Sequence, residues 1–227
     1  MMGLSRWQSF MERGLRSYAK RRNNAADSSG VSRLSAAFHY GFVSPMMVAR
    51  EAASVGTKSS EKYLDELLIF REHAWHHASS LTDPYDVTNL PEWASKSWEE
   101  TADDPRPSLQ DDRNLEFAKT PSQLWNLCQK SLLWHGELHN NLRMTWGKAF
   151  PSWTSCLEKS LELSQRLNDK YALMGETPPP LPECSGAMDY SIGHSIRVSR
   201  LWERLGRGVS MLIPPDLTWR STKPTSR

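Results

Sequence analysis

With 227 residues, 38% hydrophobic and 24% charged, the chain is long enough to enclose one large core, and no apolar run reaches the length of a membrane span. A net charge of +2 excludes nucleic-acid recognition by charge excess alone, so any DNA face has to be a local patch. Three cysteines, Cys128, Cys156 and Cys184, without C-x-x-C spacing, argue against a disulfide framework or structural zinc and for an intracellular, reducing compartment. Ten tryptophans are several times ordinary usage and are the feature to explain; filling a helical core is the plain account for most of them.

Residues 4–22 carry Leu4, Trp7, Phe10, Met11, Leu15 and Tyr18 at spacings of three and four, which predicts an amphipathic helix with arginines on its other face. The same arginine-rich, acid-poor start has the composition of an organellar transit peptide. Residues 23–30 read as a polar loop, and 31–43 as a loop-to-helix junction. Serine hydroxyls beside free helix N–H groups hold phosphates well, although Ser32 and Ser35 equally suit plain helix caps. Ser44-Pro45 opens a helix to about residue 54. The next runs over 59–80, with Tyr63, Leu64, Leu67, Leu68, Phe70, Ala74 and Trp75 expected inward.

Two histidine clusters raise a metal reading: His73 with His77 on that helix, and His135-Gly136-Glu137-Leu138-His139. Neither has suitable ligand spacing, since a zinc-protease pattern needs glutamate directly after the first histidine, so no metal is expected. Residues 81–121 are rich in proline and acid, a surface connection with short helices around 92–101 and 111–119. Thr120-Pro121 is expected to cap and start the helix that carries Trp125. A helix over 138–150 bears Arg143, Met144 and Trp146, and one over 155–175 buries Leu157, Leu161, Leu163, Leu167 and Tyr171. Gly175 ends it and Pro178-Pro179-Pro180 forbids restart. From residue 214 the chain is proline- and basic-rich and expected to be disordered, leaving 1–213 as one folded, all-α domain.

Trp146 and Trp153 stand two helical turns apart, so they share a face if the helix survives Pro151. Trp125 lies on the preceding helical segment, placed to pack antiparallel and bring its indole toward them. Such a row can conduct electrons.

LHNNLRMTWGKAFPSWTS followed by LNDKYALMG resembles the photolyase/cryptochrome family, nearest to class II cyclobutane pyrimidine dimer photolyases, where the pattern is LRMYWxKKILEWT and then LNDKYxLDG. Upstream, SRLSAAFHYGFVS is similar to the family's SNLSPWLHFGQIS, and DELLIFREHAWHHA to EELxVRRELxxNF. RSYAKRRNN matches the family's first helix, LxxYxxxRNDP, which favours mature structure over a targeting segment. The resemblance implies the family's all-α FAD-binding helical domain, with Tyr18, Ser32, Leu34 and Ser35 at the positions that clasp the diphosphate of FAD. It implies further that Arg143 contacts the flavin ring, Asn168 stands opposite flavin N5, Met144 faces substrate, and Trp146 begins a relay with Trp125 and Trp153. Glu72 falls where a glutamate hydrogen-bonds the damaged pyrimidine; a carboxyl in a partly dry pocket has a raised pKa and can donate. An ordinary surface ion pair is the plain alternative for Glu72.

Three departures shape the functional reading. The family's amino-terminal antenna domain is not in this sequence, so the flavin is expected to absorb light for itself. Tyr190 replaces one active-site tryptophan and Val198 falls near the other, within AMDYSIGHSIRVSRLW against the family's GxAWSIGGxHDRAW; those aromatic walls cradle the flipped dimer. Met174 stands where an aspartate is expected, with Asp169 as a substitute partner for Arg143. The expected protein is a photolyase-like flavoprotein, passing one electron to a pyrimidine dimer in damaged DNA. The alternatives are cryptochrome-like light or redox signalling without repair, and a non-catalytic interaction module.

Overall fold

The computed structural model describes residues 2–71, 76, 80, 86–90, 92–100, 102–104, 106 and 108–173. Within them every regular element is helical, as expected. The Gly175 stop, the proline run and the tail from 214 lie outside the described residues, as do Glu72, His73, Ala74, Trp75, His77, Met174, Tyr190 and Val198.

The expected first helix is three pieces. Helix α1 (Met2–Arg13) buries Trp7 and Phe10, a 3-10 turn follows at Leu15–Ser17, and α2 (Tyr18–Arg21) buries Tyr18. The break falls at Gly14, where an added Cβ would meet the Phe10 ring and the Ser29 carbonyl. Only glycine lets the 23–30 loop come so close. Helix α3 (Ser35–His39) leads to α4 (Pro45–Ser54), whose Ser44 hydroxyl accepts from the Met47 amide at 3.3 Å and whose proline needs no partner at the first position.

Helix α5 (Lys58–Leu64) opens on a reciprocal capping box between Thr57 and Ser60. It then passes into a π-helical stretch, Asp65–Phe70, closed by the Arg71 amide on the Glu66 carbonyl, one residue wider than the α pattern. This extra residue per turn rotates the stripe. Tyr63 and Leu67 stay buried, but Leu68 (40% exposed) and Phe70 (55%), expected inward on α-helical spacing, face out.

Trp7, Phe10, Tyr18 and Tyr63 form one aromatic cluster: Trp7 stacks on Tyr63 at 5.8 Å, and Tyr18 meets Tyr63 edge-on at 5.2 Å. Each such pair adds about 0.5–1.5 kcal/mol beyond its buried area. The Trp7 indole donates to Glu51 Oε2 at 2.6 Å, tying α1 to α4.

After α6 (Glu92–Glu99) and α7 (Asp112–Glu116) comes a second core. Helix α8 (Gln123–His135) is capped by Ser122, whose hydroxyl accepts from the Trp125 amide, and not by Thr120 as expected. Thr120 instead locks the approach: its hydroxyl donates to Asn126 Oδ1 at 2.8 Å, and Asn126 Nδ2 donates to the Thr120 carbonyl at 2.7 Å. Helix α9 (Asn140–Gly147), the one-turn α10 (Phe150–Trp153) and α11 (Leu157–Tyr171) pack against α8 around Leu132, Phe150, Leu161, Leu163 and Leu167.

Candidate functional site: a cleft beside a tryptophan chain

A cleft of about 470 Å³ lies where the two cores meet, within the usual size range of small-molecule sites. Tyr18, Ser32, Ser35, Tyr63, Glu137 and Arg143 are on its wall. Four of these were singled out in the sequence, and they come from α2, the 31–35 junction and α9. Ser32 and Ser35 do not cap α3, which has Leu34 at its N-cap and no side-chain cap bond. The Ser32 hydroxyl accepts from Tyr63 Oη at 3.2 Å, and Ser35 is exposed to the cleft. Burial raises the phenol pKa of both Tyr18 and Tyr63, opposed by a hydrogen bond to Arg22 and to Ser32 respectively, so both stay neutral donors at physiological pH. Leu34 is fully buried, its side chain in the first core and not on the cleft wall.

Arg143 sits on the opposite wall and donates through Nη1 to Asn168 Oδ1, while Asn168 Nδ2 donates to Asp169 Oδ1 at 3.2 Å. Asn168 itself is 1% exposed and reaches the cleft through Arg143. The chain thus joins α9 to α11, with Asp169 one bond behind Asn168. Met144 is half-buried and off the cleft wall.

One turn beyond Arg143 on α9 stands Trp146. Its ring is parallel to Trp125, 6.1 Å between centroids and 7° between planes, and Trp125 meets Trp153 edge-on at 5.2 Å. The spatial order is therefore Trp146, Trp125, Trp153. A helix carried through Pro151 would have put Trp146 next to Trp153 on one face. Instead α9 ends at Gly147, α10 begins afresh at Phe150, and the Trp125 indole fills the corner between them. Trp146 and Trp125 are buried, and Trp153 is only half-buried.

No family model matches the chain. It is 33% identical over 178 residues to a deoxyribodipyrimidine photo-lyase of Oryza sativa, covering 77% of this chain and 35% of the relative. With the Arabidopsis thaliana enzyme of the same name it shares 32% over 178 residues, 77% of this chain and 36% of that one. The Methanothermobacter thermautotrophicus one is 29% identical over 175 residues, 77% and 39%. The chain belongs to the photolyase/cryptochrome family. It spans about a third of the length of the curated relatives it matches. The fold is similar to that of a bacterial class III photolyase from Agrobacterium tumefaciens, with a TM-score of 0.64 at 16% identity, over 84% of this chain and 37% of that one.

Within this photolyase-family domain the sequence left several site residues unread. Gln129 is fully buried within the second core: Oε1 accepts from the Trp146 indole at 2.9 Å, and Nε2 donates to the Glu116 carbonyl at 3.0 Å. An amide on the apolar stripe of Trp125, Cys128 and Leu132 was the available signal. Glu137, weighed only as a metal ligand, pairs with Arg6 and Arg33, which no local pattern predicts across more than a hundred residues. Among the described residues no group of three or more histidine, cysteine, aspartate or glutamate side chains is arranged to hold a metal, and no helix is long and apolar enough to cross a membrane.

Proposed function

We propose that this photolyase-like chain binds FAD noncovalently in the cleft and serves light-driven electron transfer for the repair of pyrimidine dimers in damaged DNA. The single observation that carries the reading is the placement of Arg143 on the cleft wall, one helical turn from a contiguous row of three indoles. The residues fit the cofactor. Ser32, Ser35 and Tyr18 offer neutral donors for a diphosphate, Arg143 offers a fixed cation toward the ring, and the cleft volume of about 470 Å³ falls in the range of small-molecule and cofactor sites.

When bound, the flavin supplies the photochemistry and the one-electron couple. The protein supplies position. Trp146, Trp125 and Trp153 stand in van der Waals sequence from the interior to a half-exposed ring, so each transfer is between neighbouring π systems. Asn168 holds Arg143 in place and adds no charge beneath the cleft. Glu72 and Met144 are assigned to the substrate side, Glu72 as hydrogen-bond donor to the pyrimidine carbonyl edge, and Tyr190 to one wall of the dimer pocket. Within the family, the LNDKY block with Asn168 supports a place beside class II. Among the described residues Cys128 and Cys156 form no disulfide, which supports an intracellular protein.

The test is direct. The purified chain is expected to be yellow, to photoreduce under blue light with an external donor, and to clear dimers from an irradiated oligonucleotide only in light. A colourless chain after incubation with FAD would reject the cofactor assignment. Photoreduction with intact dimers would leave a signalling flavoprotein.

A further inference from the structure

Glu137 lies at the turn between α8 and α9, on the wall of the cleft, with Arg33 facing it across the gap. Arg33 donates to Glu137 Oε2 from Nε at 2.7 Å and again from Nη2, while Arg6 Nη1 on α1 donates to Glu137 Oε1 at 2.9 Å. One carboxylate thus sits between two guanidiniums, leaving a net charge of +1 beside the Ser32 and Ser35 hydroxyls.

The backbones on both sides are held independently of this pair. Ser131 Oγ donates to the Glu137 carbonyl at 2.7 Å, and Arg6 Nη1 also donates to the Arg33 carbonyl at 3.1 Å. Arg33 sits at φ +53°, a left-handed conformation that asparagine or glycine accepts more easily than arginine. The guanidinium at this position is therefore kept at some backbone cost. Its side chain is 47% exposed against 25% for Glu137, so it can swing while its backbone stays.

We propose that Glu137 is an internal stand-in for phosphate: it occupies, on Arg33, the place that the diphosphate of a dinucleotide takes on binding, and is displaced by it. This rests on the flavin reading above and adds a selectivity to it, for dinucleotide over the phosphate-free flavin. Charge and acceptor count favour exchange. A part-exposed carboxylate–arginine pair is weakly held, whereas a phosphate accepts a bidentate arginine with more charge and more acceptor oxygens. Burial raises the Glu137 pKa, but hydrogen bonds from Arg33 and Arg6 outweigh it and hold the carboxyl ionised at neutral pH, so the competitor is present when ligand arrives.

The opposing account makes Glu137 a strut that shapes the cleft, and the two predict opposite signs. Binding of FAD, riboflavin and inorganic pyrophosphate to the full chain, to Glu137→Gln and to Arg33→Gln is measured by calorimetry, with circular dichroism to confirm folding. Glu137→Gln is expected to bind FAD and pyrophosphate about tenfold more tightly, near 1.4 kcal/mol, with riboflavin unchanged. Arg33→Gln is expected to lose FAD affinity by a similar factor and to keep riboflavin. Weaker or equal FAD binding by Glu137→Gln overturns the stand-in and leaves the flavin site standing. Failure of all three proteins to bind either flavin overturns the cofactor reading and the stand-in together.

Discussion

The Trp125 indole donates its N–H to the Trp146 carbonyl at 2.9 Å while its ring lies parallel to the Trp146 ring. A backbone bond thus fixes the register of two side chains from different helices. Because Trp153 contacts Trp125 and the row runs through it, the middle indole is the one whose loss severs the path at both ends.

Trp125→Phe is expected to abolish photoreduction of bound flavin while leaving the flavin in place, since phenylalanine keeps most of the packing but is far harder to oxidise. The lost hydrogen bond costs about 1 kcal/mol, because the Trp146 carbonyl keeps a weak second donor in the Ala149 amide. Flash photolysis and a urea titration read the two effects separately. Undiminished photoreduction would show that electrons travel by another route.

Gln129→Leu strips partners from the Trp146 indole N–H and the Glu116 carbonyl in a fully buried setting. A buried polar group left alone costs about 1–3 kcal/mol. Denaturant melts are expected to register a loss in that range or above, and a change below about 0.5 kcal/mol would mean water replaces the amide.

Helices and caps were legible where local chemistry decides them: Ser44-Pro45 starts α4, and the leucine stripe of α11 is buried as spaced. The three contacting tryptophans were legible as residues but not as a sequence in space. Their order depends on α9 stopping at Gly147, and a proline four residues later gives no measure of the corner it makes. The π-helical stretch was invisible for a related reason, since a one-residue change of period in DELLIF leaves the pattern equally readable as α and turns Leu68 and Phe70 outward. Arg33 and Glu137 are 104 positions apart and each is an ordinary charge alone.

Acid should loosen α7 from α11. Glu116 accepts from Lys170 Nζ and Tyr171 Oη, both at 2.7 Å, and these bonds, Lys170 first, lower its pKa below the ordinary carboxylate value. A depressed carboxylate contributes stability that is present above the unfolded pKa, about 4.3, and is lost as pH falls through the folded value. Glu116→Gln is therefore expected to flatten the acid limb of the stability profile, less stable than the parent at pH above about 6 and converging on it in acid, where the parent carboxyl is protonated. An acid limb identical to that of the parent chain would assign it to other carboxylates.

Gly136 closes α8 at φ +65°, and its carbonyl accepts from the Leu173 amide at 2.8 Å. An added Cβ would lie 2.6 Å from Leu173 Cγ. Gly136→Ala is expected to cost about 1–2 kcal/mol from the left-handed backbone alone, and more from displacing Leu173. Thermal melting of the variant checks the sum.

If Glu72 serves the substrate and not the ring, as proposed above, Glu72→Gln is expected to slow dimer cleavage without altering the flavin absorption spectrum. A shifted spectrum would move Glu72 to the cofactor side.

The two ends of the indole row differ in what happens to a proton. The Trp146 N–H points at the carbonyl oxygen of Gln129, an amide far too weak a base to remove it, and no solvent reaches that ring. On the electron-transfer reading proposed above, a positive hole arriving there keeps its charge and moves on. At Trp153 the half-open setting lets water take the proton, and a neutral radical no longer draws the electron back. The yield of lasting charge separation should then fall in heavy water, where loss of the proton is slower, when Trp153 is present and lose that isotope dependence in Trp153→Phe, which would make the outermost ring a latch on separated charge as well as its exit.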